Sequence, residues 1–157
     1  MLNYNHTIKE EKSYQGLQMN EVKPVMKLIV RGKKREFLSA VGKSLNMVLP
    51  TKANTSTQSE KLTALWLSPD EWMIFSNVVV KENTNSYETE TLLNKNISKL
   101  NLGAVVDVTD QFVRINLKGD KIYDLFQTGS PFNFNDFKGK IGSVTQTILA
   151  KIDVIIH

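Results

Sequence analysis

The sequence predicts an α+β fold: largely antiparallel sheets with helices packed on them. Three observations carry this. β-favouring runs come mostly in pairs, the pairs alternate with amphipathic helical stretches, and the order β-α-β-β recurs along the chain. Strands adjacent in sequence and joined by short turns pair antiparallel, because a parallel pair needs a long crossover. No residue-level repeat accompanies the recurring unit, so the duplication is one of pattern only. At 157 residues the chain is the length of one domain, or of two small halves sharing a core.

Residues 1–23 are polar and weakly periodic and read as an N-terminal arm, leaving 24–157 as a single α+β domain. Pro24 precedes the β-favouring run VMKLIV. Phe37, Leu38, Val41 and Leu45 then recur at helical spacing, and Asn46 to Pro50 ends that helix. After a polar loop at 51–61 come LTALWL, the four residues Ser68 to Glu71, and WMIFSNVVV. A second polar stretch, 81–90, leads into a helix whose stripe is Leu92, Leu93, Ile97 and Leu100, with Leu102 and Gly103 after its end. AVVDV and FVRINL read as a hairpin around Thr109 and Asp110. Asp120 is placed to cap a third helix with Ile122, Leu125 and Phe126 on one face. Gly129 suits a left-handed stop for that helix, and Pro131 prevents continuation. After a loop at 132–140, VTQTILA and IDVIIH read as two further strands.

Composition excludes several chemistries. With no cysteine there can be no disulfide, thiolate nucleophile or Cys-ligated metal. The two histidines, His6 and His157, are terminal and have no companion ligands in sequence. Gly42-Lys43-Ser44 looks like the end of a phosphate loop, but the required earlier glycine is Phe37, and the triplet falls inside a helix. No run of apolar residues reaches the length of a membrane span, and the N-terminus is too polar for a signal peptide, so a cytoplasmic protein is expected. The net charge of +4 is mild; its one dense cluster, Arg31 to Arg35, reads as a solvated strand-to-helix edge rather than a nucleic-acid patch.

Two segments attract a functional reading. In WLSPDEW, Asp70 and Glu71 could suggest an acid pair, but neighbours at a strand end point to opposite faces and would not share a proton. A hairpin with a four-residue loop, Ser68 to Glu71, pairs Leu67 with Trp72 and Trp66 with Met73. That register sets the two tryptophans on opposite faces, both apolar. The face away from the helices then needs cover, from another sheet of the chain or from another protein. In DVTDQFVR, a hairpin at Thr109-Asp110 would set Asp107 diagonal to Arg114 on one face, as an ion pair or as a polar contact to a partner.

Several segments together resemble a known family. WLSPDEWMIF resembles the Trp-Gly-Pro-Asp-Glu-Trp segment of the gamma subunit of heterotetrameric sarcosine oxidase, with Ser68 where that family often has glycine. Residues 104–135 resemble its valine-rich strand, Asp-Gln turn, Arg-bearing strand, Gly-led helix and Gly-x-Pro ending, with Ser130 where cysteine is frequent. VTQTILAKIDVIIH is similar to its last strands. The resemblance runs from about Trp66 to His157. It implies a fold similar to the aminomethyltransferase folate-binding domain. It also implies an accessory role in a complex that oxidatively demethylates sarcosine to glycine, with alpha, beta and delta subunits as partners. FAD, FMN, NAD and tetrahydrofolate would belong to those partners, and no cofactor to this chain. The residues offered as a partner interface are Trp66, Pro69, Asp70, Trp72, Asp107, Asp110, Arg114 and Pro131; no catalytic, cofactor-binding or metal-binding residue is assigned. The alternative, resting on fold alone, is a stand-alone folate-binding or aminomethyltransferase-like protein.

Overall fold

The run VMKLIV becomes an interior strand of the largest sheet because it is mostly apolar on both sides, as a strand covered on both faces must be. The computed structural model describes residues 5–8, 11–79 and 87–157. In it β1 (Lys12–Tyr14) and β2 (Leu17–Glu21) precede that interior strand, β3 (Val25–Arg31). Then follow α1 (Arg35–Leu45), β4 (Ser56–Gln58), β5 (Leu62–Ser68), β6 (Glu71–Val79), α2 (Glu88–Asn96), β7 (Ala104–Asp107), β8 (Ile115–Lys118), α3 (Ile122–Gly129), β9 (Thr145–Leu149) and β10 (Ile152–Ile156). Single 3-10 turns lie at Ser98–Leu100 and Phe134–Asp136.

The expected α+β class holds: every strand pair is antiparallel. Strands β4-β5-β6-β3-β7 form one sheet, β1-β2-β8 a second, and β10-β9 a third. Setting aside the short edge strand β4, the elements from β3 to β7 run β-α-β-β-α-β, with β3 seated between β6 and β7. Both helices of that unit lie on one face of its sheet, where Phe37 and Val41 of α1 meet Leu93 of α2 and Ile97 just after it, over Leu28, Val30, Trp72 and Ile74. The opposite face carries a second core of Val25, Leu65, Leu67, Met73 and Phe75, covered by Val144 and Ile155 near the β9-β10 hairpin. The second apolar face is thus covered at least in part by the chain itself. Helix α3 packs on β9.

Four expectations are corrected. First, the β5-β6 turn is two residues, Pro69-Asp70, not four: Ser68 pairs with Glu71, Trp66 with Trp72 and Leu65 with Met73. A bulge at Leu67 absorbs the odd residue. It keeps Leu65 and Leu67 together in the second core and brings both tryptophans to the helix-covered face.

Second, β7 and β8 do not form a hairpin. β7 pairs with β3 and β8 with β2. The chain is held at the end of β3, where Val108 N–H donates to the Lys27 carbonyl at 2.9 Å and Lys27 N–H donates to Thr109 Oγ1 at 3.0 Å. It then crosses to the other sheet, where Val22 N–H meets the Arg114 carbonyl at 2.8 Å.

Third, of the stripe Leu92, Leu93, Ile97 and Leu100, only Leu93 and Ile97 are buried; Leu92 is 41% and Leu100 62% exposed. Leu125 of α3 is also exposed, beside the buried Phe126. Fourth, Gly129 is the last residue of α3 and not a left-handed stop. A Cβ there would press on Leu149, so the glycine lets helix and strand approach, and its carbonyl accepts from Ala150 N–H at 2.8 Å. Lys121, not Asp120, occupies the cap position of that helix.

The arm read at 1–23 contains β1 and β2, the latter paired to β8; residues 1–4 and 9–10 of it lie outside the described residues. Most of the second polar stretch, 81–86, and the end of the WMIFSNVVV run at Val80 also lie outside them. No described helix is long and apolar enough to cross a membrane.

Candidate functional site

The sequence-predicted residues fall in three separate places. The first is the Pro69-Asp70 turn. Trp72 lies in the core, 2% exposed, with its ring 5.8 Å from that of Phe37 and its Nε1–H donating to the Pro50 carbonyl at 2.7 Å. Trp66 is half-buried on the same face, and Pro69 is exposed at the tip. Ser68 Oγ donates to Asp70 Oδ1 at 2.8 Å, and Arg31 Nε and Lys33 Nζ stand 3.5 and 3.8 Å from Asp70 Oδ2. The Ser68 hydrogen bond, followed by the charges of Arg31 and Lys33, holds the Asp70 carboxyl below its ordinary range. A carboxylate held ionised this way is a poor proton donor at neutral pH. Two members of the basic cluster are thereby engaged by the turn.

The second place surrounds Lys27. This lysine lies inside VMKLIV, is 5% exposed, and donates from Nζ to the carbonyls of Val25 at 3.2 Å and Thr109 at 3.0 Å. Burial lowers its pKa, and Asp110 and Asp107 oppose that shift. Asp107 Oδ1 accepts from Thr109 N–H at 2.9 Å, closing the turn after β7. Arg114 does not form the expected pair with Asp107. Its guanidinium stacks over Phe75 at 4.8 Å, on the side of the β5-β6 hairpin away from the helices. The two residues sit on different strand paths, so the diagonal contact a β7-β8 hairpin would have given is lost. Nothing in the sequence except a lone lysine in an apolar run signals Lys27, and one of its polar partners, Thr109, lies 82 positions away.

The third place is Pro131, exposed after α3 and remote in sequence from the other two. Behind it Phe126 stacks on Phe134, Phe132, Phe134 and Phe137 meet edge to face, and Tyr123 lies tilted against Phe134. Phe134 is 1% exposed, so this cluster is a small core beneath the loop. Ser130 Oγ lies 2.9 Å from Thr147 Oγ1 and fixes the loop to β9.

The polar side chains described above hold turns, strand ends and crossings. Among the described residues, no group of three or more His, Asp or Glu is arranged to hold a metal ion. Of the sequence-predicted residues, Pro69, Asp107, Asp110 and Pro131 are exposed.

No curated protein matches the chain. Among solved structures, the heterotetrameric sarcosine oxidase from Corynebacterium sp. U-96 in complex with pyrrole 2-carboxylate contains a similar chain. The TM-score is 0.76 at 18% identity, covering 92% of this chain and 72% of that one. At that identity the likeness is one of fold. The model of the sarcosine oxidase gamma subunit family matches residues 31–157, from the end of β3 to the last residue. The chain is therefore a member of the sarcosine oxidase gamma subunit family.

Proposed function

We propose that this chain is the non-catalytic gamma subunit of a cytoplasmic sarcosine oxidase that demethylates sarcosine oxidatively to glycine, and that its role is assembly. Alpha, beta and delta subunits are its partners, and they hold FAD, FMN, NAD and tetrahydrofolate. The family match over residues 31–157 carries this reading. The use of Asp70, Asp107 and Arg114 in ion pairing, turn closure and ring stacking supports it, since none is left poised for proton transfer.

Co-expression with the flavin-binding chains is the test. This subunit is expected to co-purify with them in fixed ratio through size exclusion. A complex that forms fully without it, or a chain that never joins, overturns the reading. Calorimetry of the isolated chain with tetrahydrofolate is expected to give no heat of specific binding; micromolar binding would favour the folate-binding alternative.

A further inference from the structure

A surface helix normally turns its polar face outward and its apolar stripe to the sheet. The layer formed by α1 and α2 departs from this at two positions. Leu92 on α2 and Leu100 on the following 3-10 turn share helical spacing with the buried Leu93 and Ile97, yet they stand 41% and 62% exposed. They do not point at random. Together with Ala40 and Leu102 they line an open groove of about 710 Å³ between α1 and α2.

The rest of that groove is polar, with two cations to one carboxylate. Arg35 and Lys43 stand along α1, with Glu36 as the one carboxylate and Ser39, Ser44 and Asn96 between. Asn96 Nδ2–H donates to Ser44 Oγ at 2.9 Å, which ties the two helices and fixes the groove's width. Arg35 and Lys43 form no ion pair among the described residues, whereas Arg31 and Lys33 of the same basic stretch are engaged by Asp70. The groove therefore combines exposed leucines, which water disfavours, with two cations that outnumber its one carboxylate and form no ion pair among the described residues.

We infer that this groove is a docking site for an amphipathic helix from another subunit of the complex, with apolar residues facing Leu92 and Leu100 and carboxylates facing Arg35 and Lys43. A helix suits the geometry because a groove between two packed helices accepts the ridge of a third. Carboxylates are the complement of Arg35 and Lys43. The inference deepens the assembly role proposed above and rests on it.

The chain's lack of cysteine makes a direct test simple. Ser39 lies exposed on the groove wall. In a Ser39→Cys variant, the new thiol is expected to react with a maleimide at least about tenfold more slowly in the co-expressed complex than in the isolated chain, read by the mass of this subunit. Separately, Leu92→Ser/Leu100→Ser and Arg35→Glu/Lys43→Glu variants are each expected to lower retention of the subunit at least about tenfold, with the melting temperature of the isolated chain unchanged. Raised salt should weaken retention of the unmodified chain. If the complex forms but the thiol labels at the same rate in both states, or the charge-reversed chain is retained like the original, the groove is not the docking site. If the unmodified chain never joins the complex, the assembly role fails, and the groove with it.

Discussion

Residues 25–107 and 115–156 begin with the same order of elements, strand, helix, strand, strand, and close in different ways. In the first region, β3 and α1 are followed by the short edge strand β4, then β5, β6, α2 and β7, and β3 gains a neighbour on each side. Its strands β3, β5 and β6 are largely buried. In the second, β8 pairs with β2 from the N-terminal arm, β9 and β10 pair only with each other, and β8, β9 and β10 are largely half-buried or exposed. The same local pattern thus yields a two-sided core in one place and a thin cover in the other. What differs is supplied from outside the repeated unit: Leu93 of α2 and Ile97 at its end seal the first, and the aromatic group around Phe134 seals the second. The first region is accordingly the platform on which the second rests through Val144 and Ile155.

The strongest way to break this comparison is to remove one large side chain from each region. Phe37 is fully buried between α1 and Trp72. Phe37→Ala is expected to cost about 3–5 kcal/mol in chemical denaturation and to lower hydrogen-exchange protection across β3, β5 and β6. Phe134→Ala removes a side chain of equal size that is almost as buried. Its loss of protection is expected to stay within α3 and the β9-β10 hairpin. If Phe134→Ala strips protection from β3 as well, the two regions are one cooperative unit.

A smaller effect is expected at the tryptophan whose ring spans the platform. Trp72→Phe keeps an aromatic ring but leaves the buried Pro50 carbonyl without its donor at 2.7 Å. The expected cost is about 1–3 kcal/mol, measured by urea unfolding, since an unpaired buried acceptor carries its desolvation penalty. Trp66, half-buried on the same face, has no such bond in the structure, and Trp66→Phe is expected to cost less.

How far each region was legible in the sequence follows from the same physics. Periodicity revealed α1, α2, α3 and most strands, because Phe37, Val41, Leu93 and Phe126 repeat at the spacing of the structure that buries them. Strand partners were less legible. β7 and β8 are neighbours in sequence with a turn-like Thr109-Asp110 between them, yet the hydrogen bonds from Lys27 and Val22 direct each to a different sheet. Those partners lie far along the chain, and no local pattern encodes them. The register of the β5-β6 hairpin was missed by one residue because a bulge leaves no mark in an apolar run such as LWL. The short strand β4 was hidden in a polar loop; its place comes from pairing with β5 and from Ser56 contacting Gly142. The groove was missed because helical spacing marks Leu92 and Leu100 as apolar without saying which side of the helix meets the sheet.

Lys27 sharpens the comparison from the side of charge. It sits in the platform with its ammonium group buried, and its folded pKa is depressed below 10.5. A depressed pKa means that the folded state disfavours the proton more than the unfolded state does. The lysine's contribution to stability is then most favourable above 10.5 and declines as pH falls through the folded value. Against a Lys27→Met variant, the wild-type protein is expected to gain relative stability as pH rises from neutral toward 10.5, measured by urea midpoints. A flat difference across that range would show that the ammonium is as well solvated as in the unfolded chain.

The smallest expected change is at the turn that carries the family-like WLSPDEW segment. Asp70 is held below its ordinary pKa of 3.8 by Ser68, Arg31 and Lys33. Its contribution is present above 3.8 and is lost as pH falls through the lower folded value. Asp70→Asn should therefore leave the neutral melting temperature almost unchanged, because surface pairs of this kind are screened by solvent. It should also flatten the part of the acid unfolding curve that lies below 3.8. Arg31 and Lys33 would lose their carboxylate partner in that variant, making the edge of the platform beside α1 more basic. If complex formation then strengthens at low salt and reverts at high salt, the basic edge contributes to the same electrostatic contact as Arg35 and Lys43. If assembly is indifferent to Asp70, the attraction is confined to the groove between α1 and α2.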